Sequence, residues 1–366
     1  MTRPRLAIAA RGVTSAYSGP NAFIASLISG FARYAPQVEV HAYFDAAAAQ
    51  AHFPGVHAHI LPAAPRMVWD HILLPQALQR DQIDLAIFPK DTVPLYTTCP
   101  VVPIMLDLGY FYPHLKAYKP LETVYMKLAM RYAVWRARHI FAISEHTRQD
   151  VIRYLGAAPD RVTTVHIAPA EGIFRPIQET QALQHVQAKY DLQLPFIFYP
   201  TSISPRKNIE RLAEAFSEAA VHIPHHLYLT GGRRWRSAQT EKMLQGLRGR
   251  LHVLGDVPPQ DMPPLYSLAD FTVYPSLLEG FGLPIVEAFL CASPVLAANA
   301  TSIPEVTGEA ALLVDPWQVG ALRDGLLRMA RDAALRSSLR QAGLARAGRF
   351  TWARTVQAML DVLRLM

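Results

Sequence analysis

Short apolar, β-branched runs alternate with amphipathic stretches along nearly the whole of this chain, and few folds accept that rhythm. Val38–Phe44, His57–Leu61, Leu85–Phe88 and Val101–Leu106 each have the length and composition of a buried strand, and stretches near 68–79 and 121–138 carry helical spacing between them. Strands separated by helices form parallel sheets covered on both faces, because a parallel crossover needs a dozen or more residues. The rhythm begins with a strand from Arg5 to Ala10, a loop holding Gly12, Ser15, Ser18 and Gly19, and a helix opened by Pro20 with Phe23, Ile24, Leu27, Ile28 and Phe31 on one face. Strand, glycine loop and helix in that order suit a nucleotide, but no GxGxxG is present, which disfavours a dinucleotide enzyme. Ile140–Ile143 and Val162–Ile167 extend the first series, with Ser144 as the cap of a helix over 145–154. Pro169, Gly172 and Pro176 then break the periodicity before Phe196–Tyr199 restarts it. An α/β chain of 366 residues is long enough for two such domains, each with its own core, and the break puts their boundary near residue 172.

Composition narrows the setting. The chain is 51% hydrophobic and 18% charged, as a globular protein is. The apolar run Leu6–Ala10 is too short for a signal peptide, and no run of about eighteen uncharged apolar residues predicts a membrane span. Cys99 and Cys291 are far apart, with no CxxC and no metal-ligand spacing, which fits reduced, buried thiols in a cytoplasmic protein. Of the formal charge of +7, residues 1–170 carry +5, from 16 Lys and Arg against 11 Asp and Glu. An anionic surface or acceptor is therefore expected on the first half. Nucleic acid is not, since no nucleic-acid-binding motif appears. The stretch 121–138 sharpens this expectation: Leu121, Val124, Tyr125, Leu128, Tyr132 and Trp135 recur at core spacing amid Lys116, Lys119, Lys127, Arg131, Arg136 and Arg138. It reads either as a core helix with a solvated basic face or as a basic, aromatic helix lying on an anionic membrane.

The densest chemistry lies between Tyr274 and Glu287. Phe271–Tyr274 reads as a buried strand and Pro284 as the first turn of a helix, so the residues between them form a loop that ends at a helix N-terminus. Such an N-terminus offers unpaired N–H groups and about half a positive charge to a phosphate, and Gly280 and Gly282 let the backbone approach it. Two like charges about 4 Å apart repel by about 4 kcal/mol at an effective dielectric of about 20, so Glu279 needs a partner other than that phosphate. Sugar hydroxyls are good donors to a carboxylate, and a sugar losing its leaving group becomes cationic. Glu287, early in the helix, suits the vicinal diol of a ribose. A phosphate flanked by two polyols describes a nucleotide sugar. After the strand Phe196–Tyr199, adjacent Arg206 and Lys207 stand before another helix, placed to hold a diphosphate.

Glu279-Gly280-Phe281-Gly282-Leu283-Pro284 with Glu287 resembles the paired-glutamate signature of retaining nucleotide-sugar glycosyltransferases of family 4, which have the GT-B fold of two Rossmann-like domains facing across a donor-binding cleft. That resemblance implies domains at 1–172 (acceptor side) and 173–348 (donor side), with a terminal helix over 349–366 crossing back to the first. It implies donor contacts from Gly280, Phe281, Gly282, Leu283 and Glu287, and a pyrophosphate held by the Pro-Arg-Lys-Asn segment that contains Arg206 and Lys207. Thr201-Ser202 stands where many members have Gly-Arg, which leaves Ser202 at a donor position without the customary cation. The loops at Gly231-Gly232, followed by Arg233, Arg234 and Arg236, and at Gly255-Asp256-Val257 correspond to those that enclose the base through backbone groups; Gly231 and Val257 are the contacts carried over. Gly19 corresponds to the loop beneath the phosphates. Many relatives have a histidine where this chain has Leu106, before Asp107-Leu108, so Asp107 is the candidate on the acceptor side, unless it only caps its turn. Ala292 stands in a helix-to-strand turn where many relatives have glycine.

The resemblance implies transfer by front-face attack with the leaving phosphate as base, Glu279, Arg206, Lys207 and Asp107 being the catalytic candidates. No Asp-x-Asp is present, so the diphosphate would be neutralised by protein groups with no metal and no cofactor beyond the donor. Pro-Arg-Lys-Asn with its Thr-Ser lead resembles bacterial surface-polysaccharide mannosyltransferases, which favours GDP-mannose over a UDP- or dTDP-sugar and a glycan or lipid-linked acceptor. A non-catalytic partner of the same fold, binding a nucleotide sugar or another transferase without turnover, is the alternative that Leu106 and Ser202 raise.

Overall fold

The computed structural model describes residues 3–13, 19–45, 53–115, 117–202, 204–231 and 249–363. The chain divides into two compact units, one comprising Met1–Pro113, Tyr118–Ala170 and Thr351–Met366, the other His114–Ala117 and Glu171–Phe350.

The first unit is a parallel sheet of seven strands, β1 (Arg5–Ala9), β2 (Glu39–Asp45), β3 (Val56–Leu61), β4 (Leu85–Phe88), β5 (Val101–Met105), β6 (Ile140–Ala142) and β7 (Val162–Thr164), in the order β3-β2-β1-β4-β5-β6-β7. Its helices include α1 (Gly19–Tyr34), α2 (Leu74–Arg80), α3 (Pro120–Arg136) and α4 (Glu145–Leu155), the last capped by Ser144, which accepts from the Thr147 N–H. A short helical turn (Arg66–Val68) and a π-helical turn (Trp69–Leu73) lead into α2. The inner strands are apolar on both faces, as a covered parallel sheet requires.

The second unit holds α5 (Thr180–Lys189), β8 (Phe196–Tyr199), α6 (Ile209–Ala220), β9 (His226–Leu229), β10 (Leu251–Val253), α7 (Met262–Leu268), β11 (Phe271–Tyr274), α8 (Leu283–Leu290), β12 (Val295–Ala298), α9 (Ile303–Thr307), β13 (Ala311–Val314), α10 (Val319–Arg331) and α11 (Ala333–Ala347). Its six strands are parallel in the order β10-β9-β8-β11-β12-β13. The chain ends in α12 (Trp352–Leu363), which returns to the first unit: Trp352 Nε1 donates to the Pro169 carbonyl at 3.0 Å and its ring packs on Phe23 of α1.

Helix α3 corrects the core-helix reading. Its buried residues are Met126, Met130, Ala133 and Val134, whereas Leu121 is 84%, Val124 57%, Leu128 62% and Trp135 72% exposed. The helix is apolar on two faces, and periodicity alone selected the outer one. No helix among the described residues is long and apolar enough to cross a membrane. Cys99 and Cys291 are buried free thiols, pushed up by burial to about 11 and about 12.

Candidate active site

In the second unit the strand order reverses between β8 and β11, so the chain leaves these neighbouring strands on diverging paths at their carboxyl ends. Ligands in doubly wound sheets bind at this point. From β8 the chain delivers a single turn, Pro205–Lys207, and from β11 the loop 275–282 before α8. The two meet directly. Leu277 N–H donates to the Arg206 carbonyl at 2.8 Å, and Arg206 Nη1 donates to the Leu278 carbonyl at 3.2 Å.

Side chains complete the cluster. Lys207 Nζ lies 2.6 Å from Glu279 Oε1 and donates to Tyr274 Oη at 3.0 Å, while Arg206 Nη1 stands 3.6 Å from Glu279 Oε2. Lys207 and Glu279 are 7% and 6% exposed, so this is a buried ion pair and not a solvated one. Burial alone pushes the Glu279 carboxyl up, but the Lys207 and Arg206 charges outweigh it and hold the group below its ordinary value, ionised at neutral pH. Its backbone is fixed as firmly: the N–H donates to Thr301 Oγ1 at 3.1 Å and the carbonyl accepts from Ser302 Oγ at 2.9 Å. Asn208, in the left-handed region with φ 58°, donates to the Pro275 and Pro316 carbonyls and locks one loop against the other. Glu287, on the second turn of α8, is buried and accepts from Tyr266 Oη at 2.9 Å.

The structure thus brings together Arg206, Lys207 and Glu279, with Gly280, Gly282, Leu283 and Glu287 on the same loop and helix. Gly282, with φ 95°, is the N-cap of α8, a conformation that strains any L side chain. Gly231 follows β9 with φ 94°, and an added Cβ would lie 2.5 Å from the Thr201 carbonyl oxygen, so only glycine fits beside the segment bearing the exposed Ser202. Val257 lies half-buried after β10, and the Gly231 N–H donates to the Gly255 carbonyl at 2.7 Å. The Phe281 ring is 2% exposed and packs edge-on against Phe350 in the core, so the loop's apolar residue anchors the turn from beneath. Ser15, Ser18, Gly232, Arg233, Arg234 and Arg236 lie outside the described residues, and Gly19 begins α1.

Tyr199, Tyr274 and Tyr266 were missed, because an aromatic in a strand or apolar helix reads as core. Tyr199 Oη donates to the Lys207 carbonyl at 2.5 Å and burial pushes its hydroxyl, like that of Tyr274, well up.

Asp107 belongs to the other unit, where its Oδ1 accepts from the Gly109 N–H at 2.8 Å and so caps its turn. Beside it is Asp91, unnoticed in the sequence, at the end of the neighbouring strand. Its Oδ1 accepts from the Leu106 N–H at 2.6 Å, and burial, with the Asp107 charge adding, pushes its carboxyl up to about 8. The strand order of this sheet also reverses, between β1 and β4. There a cavity of about 610 Å³ is walled by Arg11, Lys90, Trp69, Tyr125, Leu128 and Tyr132. Arg11 Nε and Trp69 Nε1 are buried there without a hydrogen-bond partner among the described residues.

Comparison with known proteins places this geometry. The profile described as Glycosyl transferases group 1 matches residues 195–332, the span that holds Arg206, Lys207, Glu279 and Glu287. The O-antigen chain mannosyltransferase B of Escherichia coli is 34% identical over 257 residues, 68% of this chain and 66% of that protein. The chain belongs to the group 1 glycosyltransferases. Another similar protein is the serotype-specific mannosyltransferase WbdA of Escherichia coli, 31% identical over 283 residues, 75% of this chain and 34% of that protein. The chain thus spans about two thirds of the first relative's length and about a third of the second's. Among solved structures, sucrose-phosphate synthase from Thermosynechococcus elongatus superposes with a TM-score of 0.80 at 19% identity, covering 99% of both chains. HepE from Anabaena, in complex with UDP and glucose, superposes at 0.79 and 17% identity, covering 99% of this chain and all of the other. These likenesses establish the GT-B fold.

Proposed function

We propose that this group 1 glycosyltransferase moves a hexose, with mannose favoured, from a nucleotide sugar to a glycan or lipid-linked acceptor in bacterial surface-polysaccharide synthesis, with retention of configuration and without a metal in the chemical step. One observation carries the reading: the Arg206–Lys207–Glu279 cluster, buried at the β8/β11 switch point beside the N-terminus of α8. Arg206 and Lys207 would take the charge that develops on the leaving diphosphate, aided by the helix N-terminus. Glu279 would hold Lys207 in place on one oxygen and accept a sugar hydroxyl on its remaining lone pairs, its charge favouring the cationic sugar of the transition state. Glu287, oriented by Tyr266, would accept from the ribose hydroxyls.

The names of the two Escherichia coli relatives support mannose and an O-antigen type of product. GDP-mannose is therefore the first donor to test, ahead of UDP- and dTDP-sugars. For the acceptor side, the cavity between β1 and β4 offers cationic side chains beside an apolar wall, which suits a phosphate-bearing, lipid-linked glycan. The outward face of α3, with Leu121, Val124, Leu128 and Trp135 beside Lys127 and Arg131, fits peripheral contact with an anionic membrane.

A thermal-shift panel of GDP-, UDP-, dTDP- and ADP-sugars tests the donor reading. At a hundredfold excess over its dissociation constant a ligand adds about 2.7 kcal/mol to the stability of what it binds. We expect one nucleotide class to raise Tm and Glu287→Ala to remove the shift. No shift with any of the four would overturn the donor site and favour a non-catalytic partner.

A further inference from the structure

The β2–β3 edge of the first sheet carries an unusual ladder of side chains. Parallel register sets His41 opposite His57 and Tyr43 opposite His59 on one face, with Glu39 preceding them on β2. The rings stack: His41 on His57 at 4.8 Å and on His59 at 5.1 Å, and Tyr43 on His59 at 4.6 Å. Glu39 Oε1 lies 3.1 Å from His57 Nε2 and 3.5 Å from His41 Nε2, and one ligand atom from each of the three residues falls within 4.8 Å of the others.

We propose that Glu39, His41 and His57 form a site for a divalent transition-metal ion of the zinc type. Four ligands at about 2.0–2.1 Å in a tetrahedron stand about 3.3–3.4 Å apart, and the two carboxylate–imidazole separations bracket that value. His41 supplies a second, independent sign. It is 6% exposed, and its Nε2, aimed at Glu39, has no hydrogen-bond partner among the described residues. Its other nitrogen is committed: Nδ1 lies 2.9 Å from His59 Nε2, and His59 Nδ1 lies 3.3 Å from Asp81 Oδ2, which also accepts from Tyr43 Oη at 2.9 Å. With each Nδ1 as the donor, this relay leaves the lone pair of His41 Nε2 facing the cluster, the way a metal-bound histidine is oriented by a carboxylate behind it. Arg5 Nε, 3.6 Å from Glu39 Oε2, turns the other oxygen toward the histidines. Two imidazoles and a carboxylate suit zinc and its neighbours, not magnesium.

The position says what the ion does. Glu39 and His41 lie at the amino end of β2, away from the carboxyl ends where ligands of such sheets bind. The ion would tie the edge strand β3 to β2 and stabilise the first unit without entering glycosyl transfer.

Zinc titration of the tag-free full chain by calorimetry, with cobalt absorption as the spectroscopic readout, tests this. We expect one equivalent of zinc to bind, tetrahedral cobalt bands to appear, and a thousandfold excess of magnesium not to compete. His57→Ala, whose parent side chain is 57% exposed and so dispensable for folding, should weaken zinc binding at least tenfold, as should Glu39→Gln. Asp81→Asn, acting through His59, should weaken it by about 10–100-fold. Zinc should raise the Tm of the parent and not that of His57→Ala. No uptake at tenfold excess zinc, or equal affinity in His57→Ala, would overturn the site.

Discussion

Lys207 and Glu279 hold each other in a place where neither alone would be tolerated. A buried pair that loses one partner costs about 3–5 kcal/mol, so Lys207→Ala should lose stability as well as turnover, and its turnover should fall by about a hundredfold or more even when corrected for the folded fraction. Chemical denaturation and donor turnover on one sample separate the two effects. Asp91 makes a different prediction. Its folded carboxyl keeps its proton up to about pH 8, whereas its ordinary value is 3.8. Folding is therefore opposed increasingly as pH rises from about 4 to about 8. Asn keeps the acceptor for the Leu106 N–H and tolerates the φ of 60° found there. Asp91→Asn should match the parent's Tm near pH 4 and exceed it by several degrees at pH 8; an equal Tm at both would refute the raised carboxyl. Charged residues in the loops that follow strands were the legible part of the site, since Glu279, Arg206 and Lys207 have no core explanation there. The supporting tyrosines and the Asp91–Asp107 pair were not, because what makes them unusual is a neighbour distant in sequence.

Elements were legible in kind but not always in orientation. Strands β8 and β11 and helix α8 follow from local pattern. For α3 the same 3.6-residue period fits either face, and the choice is made by Met126, Met130 and Ala133 packing inward. If the outward stripe meets a membrane, Leu121→Glu with Trp135→Glu should cut partition into anionic vesicles at least tenfold with Tm unchanged, since each large apolar side chain contributes about 1.5–3 kcal/mol when buried. Co-sedimentation reads this directly, and unchanged partition would remove the membrane role. The turn from α8 to β12 carries Ala292 at φ 57°. A left-handed alanine costs about 1–2 kcal/mol, against about 0.5–1 kcal/mol for glycine's extra entropy, so Ala292→Gly should stabilise the fold by about 0.5–1 kcal/mol in denaturant titration. The histidine ladder of β2 and β3 shows the opposite limit: His41 and His57 are ordinary strand residues until register sets them side by side.

Across the whole molecule, both sheets follow from the alternation of strand and helix, and each strand order has one reversal that marks a ligand-binding position. The second unit carries its chemistry in residues with charge and a short loop. The first carries an amphipathic cavity whose residues come from five separate segments, which is why the cavity was not readable from any one stretch. We propose that Arg206 and Lys207, braced by Glu279, drive departure of a nucleoside diphosphate. The most direct measurement is the rate at which purified chain, given the sugar nucleotide that stabilises it and a lipid-linked glycan, releases nucleoside diphosphate, compared with Arg206→Ala. Arg206 is half-buried and 3.6 Å from Glu279, so this variant should keep the parent's Tm closely while turnover falls by about a hundredfold. A variant that turns over as fast as the parent would remove Arg206 from the chemistry.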